Sequence, residues 1–155
     1  MGLGKSYSIM CLAETLKYRG LIDHCLIITG VDSLRSNWRN ECRKFSNMSA
    51  MVLGEKVSKN GKVSYASIKE RVEILKGPIE EFFVITNISS LRDDAMIEAI
   101  NKSGKFGMMA FDEAHRGSRQ SQMGANLLKL KAPYKVAATG TIIVNNPQSA
   151  FVPLV

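Results

Sequence analysis

Gly107-Met108-Met109-Ala110-Phe111-Asp112-Glu113-Ala114-His115-Arg116 is the stretch on which the fold turns. Its first five residues form an apolar run of strand length, with no break and no polar alternation. Such a run suits a strand covered on both faces of a parallel sheet. It leads directly into two carboxylates and an imidazole, so these polar groups stand at the C-terminal end of the strand. In open parallel sheets that edge is where ligands bind.

Outward from this strand, short apolar runs alternate with helical patterns, as βαβ units do. Ile9, Met10, Leu12, Ala13 and Leu16 recur at helical spacing between Ser6 and Arg19, and Gly20 supplies the stop. Cys25 to Thr29 is a continuous strand-length run. Asp32 or Ser33 can cap a helix running to about Lys44, with Leu34, Trp38 and Phe45 toward its buried side. Ala50 to Leu53 reads as a short strand, followed by a polar loop through Ser64. A helix is expected from Tyr65 to Lys76, ended by Gly77-Pro78, and then a strand from Phe82 to Thr86. Leu91 to Lys102 is amphipathic and closes at Gly104. Gln122 to Leu130 reads as helix, Tyr134 to Ala138 as strand, and Pro147 as the opening of a last helix. The expected fold class is α/β, a mostly parallel sheet with helices on both faces.

Composition agrees with a single domain of this kind. The 155 residues are 45% hydrophobic and 23% charged, which excludes a disordered tail, a collagen-like repeat and a small disulfide scaffold. No apolar run reaches the ~18 residues of a membrane span. No basic region leads an apolar stretch and a cleavage site, so a cytoplasmic setting is expected, prokaryotic or viral rather than nuclear. Three cysteines, Cys11, Cys25 and Cys42, are widely spaced and read as reduced thiols. With 21 basic and 14 acidic side chains the net charge is +7, a modest bias toward a polyanionic partner such as nucleic acid.

Met1-Gly2-Leu3-Gly4-Lys5-Ser6 precedes the first helix directly. A glycine turn lets backbone N–H groups converge on an anion, and a helix N-terminus adds partial positive charge. In that arrangement Lys5 reaches the β- and γ-phosphates and the Ser6 hydroxyl takes one position on Mg²⁺. Asp112 at a strand tip can hold the metal, and Glu113 can orient and deprotonate an attacking water. Each half has a bland alternative, an accidental glycine turn or an acidic loop cap. Their pairing within one α/β domain favours a Mg·nucleotide site. Thr139-Gly140-Thr141 lies at the end of the last strand, where small hydroxyl groups can bond to the Asp112–His115 loop, although composition alone favours a plain strand-to-loop turn.

The set G-L-G-K-S at 2–6, D-E-A-H-R at 112–116 and T-G-T at 139–141 resembles helicase superfamily two, and more narrowly the Swi/Snf-type DNA translocases. Ser33-Leu34 through Asn37-Trp38 to Glu41, and Val84-Ile85-Thr86 through Leu91-Arg92, are similar to two further segments of that family. The resemblance implies a RecA-like first lobe of an ATP-driven motor on double-stranded DNA. It places ATP at Gly2, Leu3, Gly4, Lys5 and Ser6, with Mg²⁺ at Ser6 and Asp112 and the catalytic base at Glu113. Nucleotide state would pass to the DNA-facing surface through His115, Thr139, Gly140 and Thr141. DNA-backbone contacts would come from Ser33, Asn37, Thr86, Asn87 and Arg116. For Trp38 a core role is the better reading. Ile142 stands where the family has proline. The chain enters the glycine loop part-way and carries no second RecA-like lobe, so it reads as a fragment of a longer motor and, alone, as nearly inactive. The alternatives are a lobe of a DExH-box RNA helicase or restriction-system motor, or a non-catalytic nucleotide- or DNA-binding module. The oligomeric state is left open.

Overall fold

A computed structural model describes residues 4–31, 33–113 and 122–139. Five strands form one parallel sheet: β1 (His24–Thr29), β2 (Ala50–Val52), β5 (Phe83–Asn87), β6 (Phe106–Asp112) and β7 (Tyr134–Ala138), in the spatial order β2-β5-β1-β6-β7. Every pairing in it is parallel, with Ile27 opposite Ile85 on one side and Ala110 on the other. Helices α1 (Lys5–Tyr18), α2 (Leu34–Phe45), α3 (Ile68–Lys76), α4 (Asp94–Ser103) and α5 (Gln122–Lys129) complete the α/β architecture. Among the described residues no helix is long and apolar enough to cross a membrane.

The core divides at the sheet because side chains alternate along a strand. Cys25 and Ile27 of β1 face one cluster, with Ile9, Met10 and Ala13 of α1 and Trp38 and Cys42 of α2. Leu26 and Ile28 face the other, with Leu75 of α3 and Met96, Ile97 and Ile100 of α4. β1 is therefore dry on both faces, as its unbroken apolar run requires. Burying one such Leu or Ile contributes about 1.5–3 kcal/mol relative to leaving it exposed. The register between β1 and β6 shifts between His24 and Cys25. Gly107 sits at that irregularity, and a Cβ there would lie 2.5 Å from Ile22 Cγ2, so the close approach requires glycine. Cys25 and Cys42 are buried free thiols, and burial raises the ionisation of Cys42 to about pH 12.

Several elements differ from the sequence expectation. The polar loop after β2 contains an antiparallel hairpin, β3 (Glu55–Val57) with β4 (Val63–Tyr65). Its residues are mostly exposed, so the burial pattern that marks a strand in sequence is absent. α3 starts at Ile68 rather than Tyr65 because Ser67 and Glu70 form a reciprocal capping box that fixes its first turn. Leu91 lies in a 3₁₀ turn (Ile88–Arg92), and α4 begins after Asp93, whose carboxylate accepts from the Ala95 N–H at 2.9 Å. Phe45 ends α2 half-exposed against the edge of Tyr7, and Leu12 is exposed on α1. Ser33 occupies the N-cap position of α2 without a side-chain cap bond. Asp32 and the helix expected at Pro147 lie outside the described residues.

Candidate nucleotide site

Parallel strands bring their C-terminal ends to one edge, and the candidate residues gather there. Asp112 ends β6, and Ala138 of β7 is its register partner, so half-buried Thr139 follows at the same edge. Thr29 ends β1 opposite Asn87 of β5. α1 begins at Lys5, and Gly4 before it has φ 68°, the left-handed conformation that glycine adopts without steric cost. No side chain caps α1 and no acidic residue occupies its first turn. The helix thus brings no acceptor or negative charge of its own to this end, which suits an anion.

The two motifs meet across 108 positions of sequence. Lys5 Nζ donates to Glu113 Oε1 at 3.2 Å, and the two side chains are 29% and 25% exposed. Asp112 is held at both oxygens. Trp38 Nε1 donates to Oδ2 at 2.8 Å, and the Glu113 backbone N–H donates to Oδ1 at 3.0 Å. Glu113 has φ 54°, a left-handed conformation uncommon outside glycine that costs on the order of 1–3 kcal/mol. That turn swings its carboxylate away from the strand direction and toward Lys5. An ammonium, two carboxylates and an open helix N-terminus thus face one edge. Ser6, in the first turn of α1, carries a hydroxyl and Asp112, at the tip of β6, a carboxylate, the donor types a hard cation such as Mg²⁺ takes.

The remaining candidates divide by exposure. Ser33 and Asn37 are exposed along the first turns of α2. Thr86 and Asn87 are buried. Thr86 receives the Thr29 hydroxyl at its carbonyl, at 3.3 Å, and its own Oγ1 has no partner among the described residues. Asn87 Oδ1 accepts from Arg71 at 3.5 Å and from the Ser90 hydroxyl, so it ties the tip of β5 to α3 and the 3₁₀ turn. Gly2, Leu3, His115, Arg116, Gly140 and Thr141 lie outside the described residues. The sequence reading missed the second role of Trp38, a buried ring whose N–H reaches the acidic pair. The one available signal was the general tendency of a buried indole N–H to find an acceptor. Nothing in the residue order announced the left-handed turn at Glu113.

The chain is similar to several known proteins. The family model described as "Type III restriction enzyme, res subunit" matches residues 1–144. The ATP-dependent helicase fft1 of Schizosaccharomyces pombe is 24% identical over 148 residues, covering 94% of this chain and 15% of its own length. The Sulfolobus solfataricus SWI2/SNF2 ATPase core, solved in complex with dsDNA, superposes with a TM-score of 0.72 at 21% identity. That match covers 99% of this chain and 29% of the other. The Pyrococcus furiosus Hef helicase domain gives a TM-score of 0.70 at 18% identity, over 99% of this chain and 31% of that one. The chain therefore spans less than a third of each of these relatives.

Proposed function

Because the chain belongs to the Type III restriction enzyme, res subunit, family and has the RecA-like fold of helicase ATPase cores, we propose that it is the N-terminal ATP-binding lobe of a Swi/Snf-type motor. In this reading the motor couples ATP hydrolysis to movement along double-stranded DNA, and a second RecA-like lobe completes the site. The observation that carries the reading is the contact between Lys5 and Glu113, which joins the glycine turn to the acidic pair.

Without nucleotide, Lys5 neutralises Glu113. An ATP phosphate is the stronger partner for the ammonium, since the α1 N-terminus attracts the same anion. Lys5 then moves to the β- and γ-phosphates and Glu113 is freed. Its carboxylate accepts a proton from the attacking water as the water oxygen bonds to the γ-phosphorus. The bond from that phosphorus to the β,γ-bridging oxygen breaks, and ADP and phosphate leave. Ser6 and Asp112 would hold Mg²⁺, which would supply charge neutralisation to the phosphates. Ser33 and Asn37, with Arg116, contact the DNA backbone, setting position and salt dependence rather than sequence choice. Thr86 and Asn87 serve that surface from beneath by fixing the tip of β5. Thr139, Gly140 and Thr141, with His115, pass nucleotide state to it.

The test is ATP turnover by the intact protein with and without duplex DNA. Duplex DNA is expected to stimulate turnover, and Glu113→Gln to abolish it; full DNA-stimulated turnover by Glu113→Gln refutes the proposed base. The family description favours one second reading, the motor lobe of a restriction system. Stimulation by any duplex supports the first reading, and a requirement for one particular DNA sequence supports the second. Stimulation by RNA alone contradicts both.

A further inference from the structure

Trp38 lies 74 residues before Asp112, on α2, and belongs to neither nucleotide motif. Its ring is 3% exposed and packs in the core with Ile9, Met10 and Cys42, which alone would explain its size. Packing does not explain where its N–H goes. A buried indole N–H needs an acceptor, and many backbone carbonyls would serve. Here the acceptor is a carboxylate at a strand tip, at 2.8 Å. Asp112 receives this bond on Oδ2 and its neighbour's N–H on Oδ1, so both oxygens are fixed in direction. An ionised carboxylate offers about four lone-pair sites, so two such bonds leave capacity for a cation.

We propose that Trp38 is a positioning residue for the metal site. Its indole N–H sets the orientation of the Asp112 carboxylate, and so fastens the metal ligand to α2. This rests on the nucleotide-site reading above. α2 is itself anchored away from the site: the Arg35 guanidinium lies 3.7 Å from the centre of the Tyr65 ring on β4, and Arg39 pairs with Glu55 on β3. The helix that presents Ser33 and Asn37 to solvent thus reaches the metal ligand through one hydrogen bond. Partners of this outer kind, which orient a ligand without touching the metal, typically change metal affinity by 10–100-fold when removed.

Trp38 is the sole tryptophan of the chain, so its indole N–H gives one resolved signal in a ¹H–¹⁵N spectrum. The experiment adds Mn²⁺ with ADP, following the spectrum and counting bound Mn²⁺ by electron paramagnetic resonance. The indole signal is expected to broaden along with the amides of Lys5 and Ser6. Asp112→Ala should shift the signal and remove the broadening. Trp38→Phe, which keeps a ring and loses the N–H, should raise the Mn²⁺ concentration for half-saturation about tenfold. Its affinity for metal-free ADP should be unchanged. Bound Mn²⁺·ADP with an indole signal that stays sharp would overturn the proposal while leaving the nucleotide site standing, as would unchanged Mn²⁺ affinity in Trp38→Phe. No binding of Mn²⁺·ADP at all would overturn the nucleotide-site reading and this proposal with it. Should Trp38→Phe fail to fold, the signal of the unsubstituted chain still decides.

Discussion

Two helices of this chain begin in opposite ways. α3 starts with Ser67, whose hydroxyl accepts from the Glu70 N–H at 3.3 Å while the Glu70 carboxylate takes the Ser67 N–H at 2.8 Å. Its terminus is satisfied by its own side chains. α1 starts with Gly4 in a left-handed turn, has no side-chain cap, and carries Tyr7 at the position that corresponds to Glu70. The same backbone end is thus used once for stability and once for recognition. A terminus whose own side chains occupy part of its N–H groups and bring a carboxylate beside them repels a phosphate, and one without them is available to a ligand at some cost in helix stability.

Four substitutions or conditions sharpen that contrast. The largest effect is expected from Lys5→Ala, which removes the cation beside the open terminus. ATP turnover of the intact protein should fall at least about a hundredfold, the order seen when a preorganised charge-stabilising donor is lost. The melting temperature should hardly move, because a partly exposed ion pair contributes only about 0–1 kcal/mol. Next is Tyr7→Glu, which gives α1 the acidic residue that α3 already has. Competition with the phosphates should weaken ATP binding about fivefold, from about 1 kcal/mol of charge near a helix end, as read by titration calorimetry. Ser67→Ala removes the cap of α3 and should lower stability by about 1 kcal/mol in denaturant unfolding, with ATP affinity unchanged.

The smallest effect concerns pH. The Lys56 ammonium and the bonds from Ser67 lower Glu70 from the ordinary 4.5 to about 2. Its contribution to stability is therefore present above pH 4.5 and is lost as the pH falls toward 2. Glu70→Gln should flatten the stability profile over that interval and lower it by a constant amount above pH 5, as read by denaturant unfolding.

The sheet was legible because burial on both faces leaves a mark in the residue order. β1, β5 and β6 are built on buried apolar runs, whereas β7, mostly exposed, has the bounds read from its sequence without that mark. The β3–β4 hairpin was not legible, since an exposed hairpin needs no apolar alternation. It is held by contacts distant in sequence, Arg39 with Glu55 and Arg35 with Tyr65. The start of α3 could have been found, because S-x-x-E at Ser67–Glu70 is a capping-box pattern. At the site, residue types named Lys5, Asp112 and Glu113, and the structure adds how they meet. The Lys5–Glu113 contact follows from topology, and the Trp38–Asp112 bond from packing α2 on the sheet. Neither distance is encoded in local spacing. The burial of Thr86 and Asn87 has the same origin, since it depends on α3 and the 3₁₀ turn closing over the end of β5.

The central claim is that Lys5 exchanges Glu113 for a phosphate. A crystal structure of the protein with Mg²⁺ and a non-hydrolysable ATP analogue tests it most directly. Lys5 Nζ is expected within hydrogen-bond distance of the β- and γ-phosphates, with Glu113 released toward the γ-phosphate. Nucleotide bound elsewhere, with the 3.2 Å contact between Lys5 and Glu113 intact, would contradict the account.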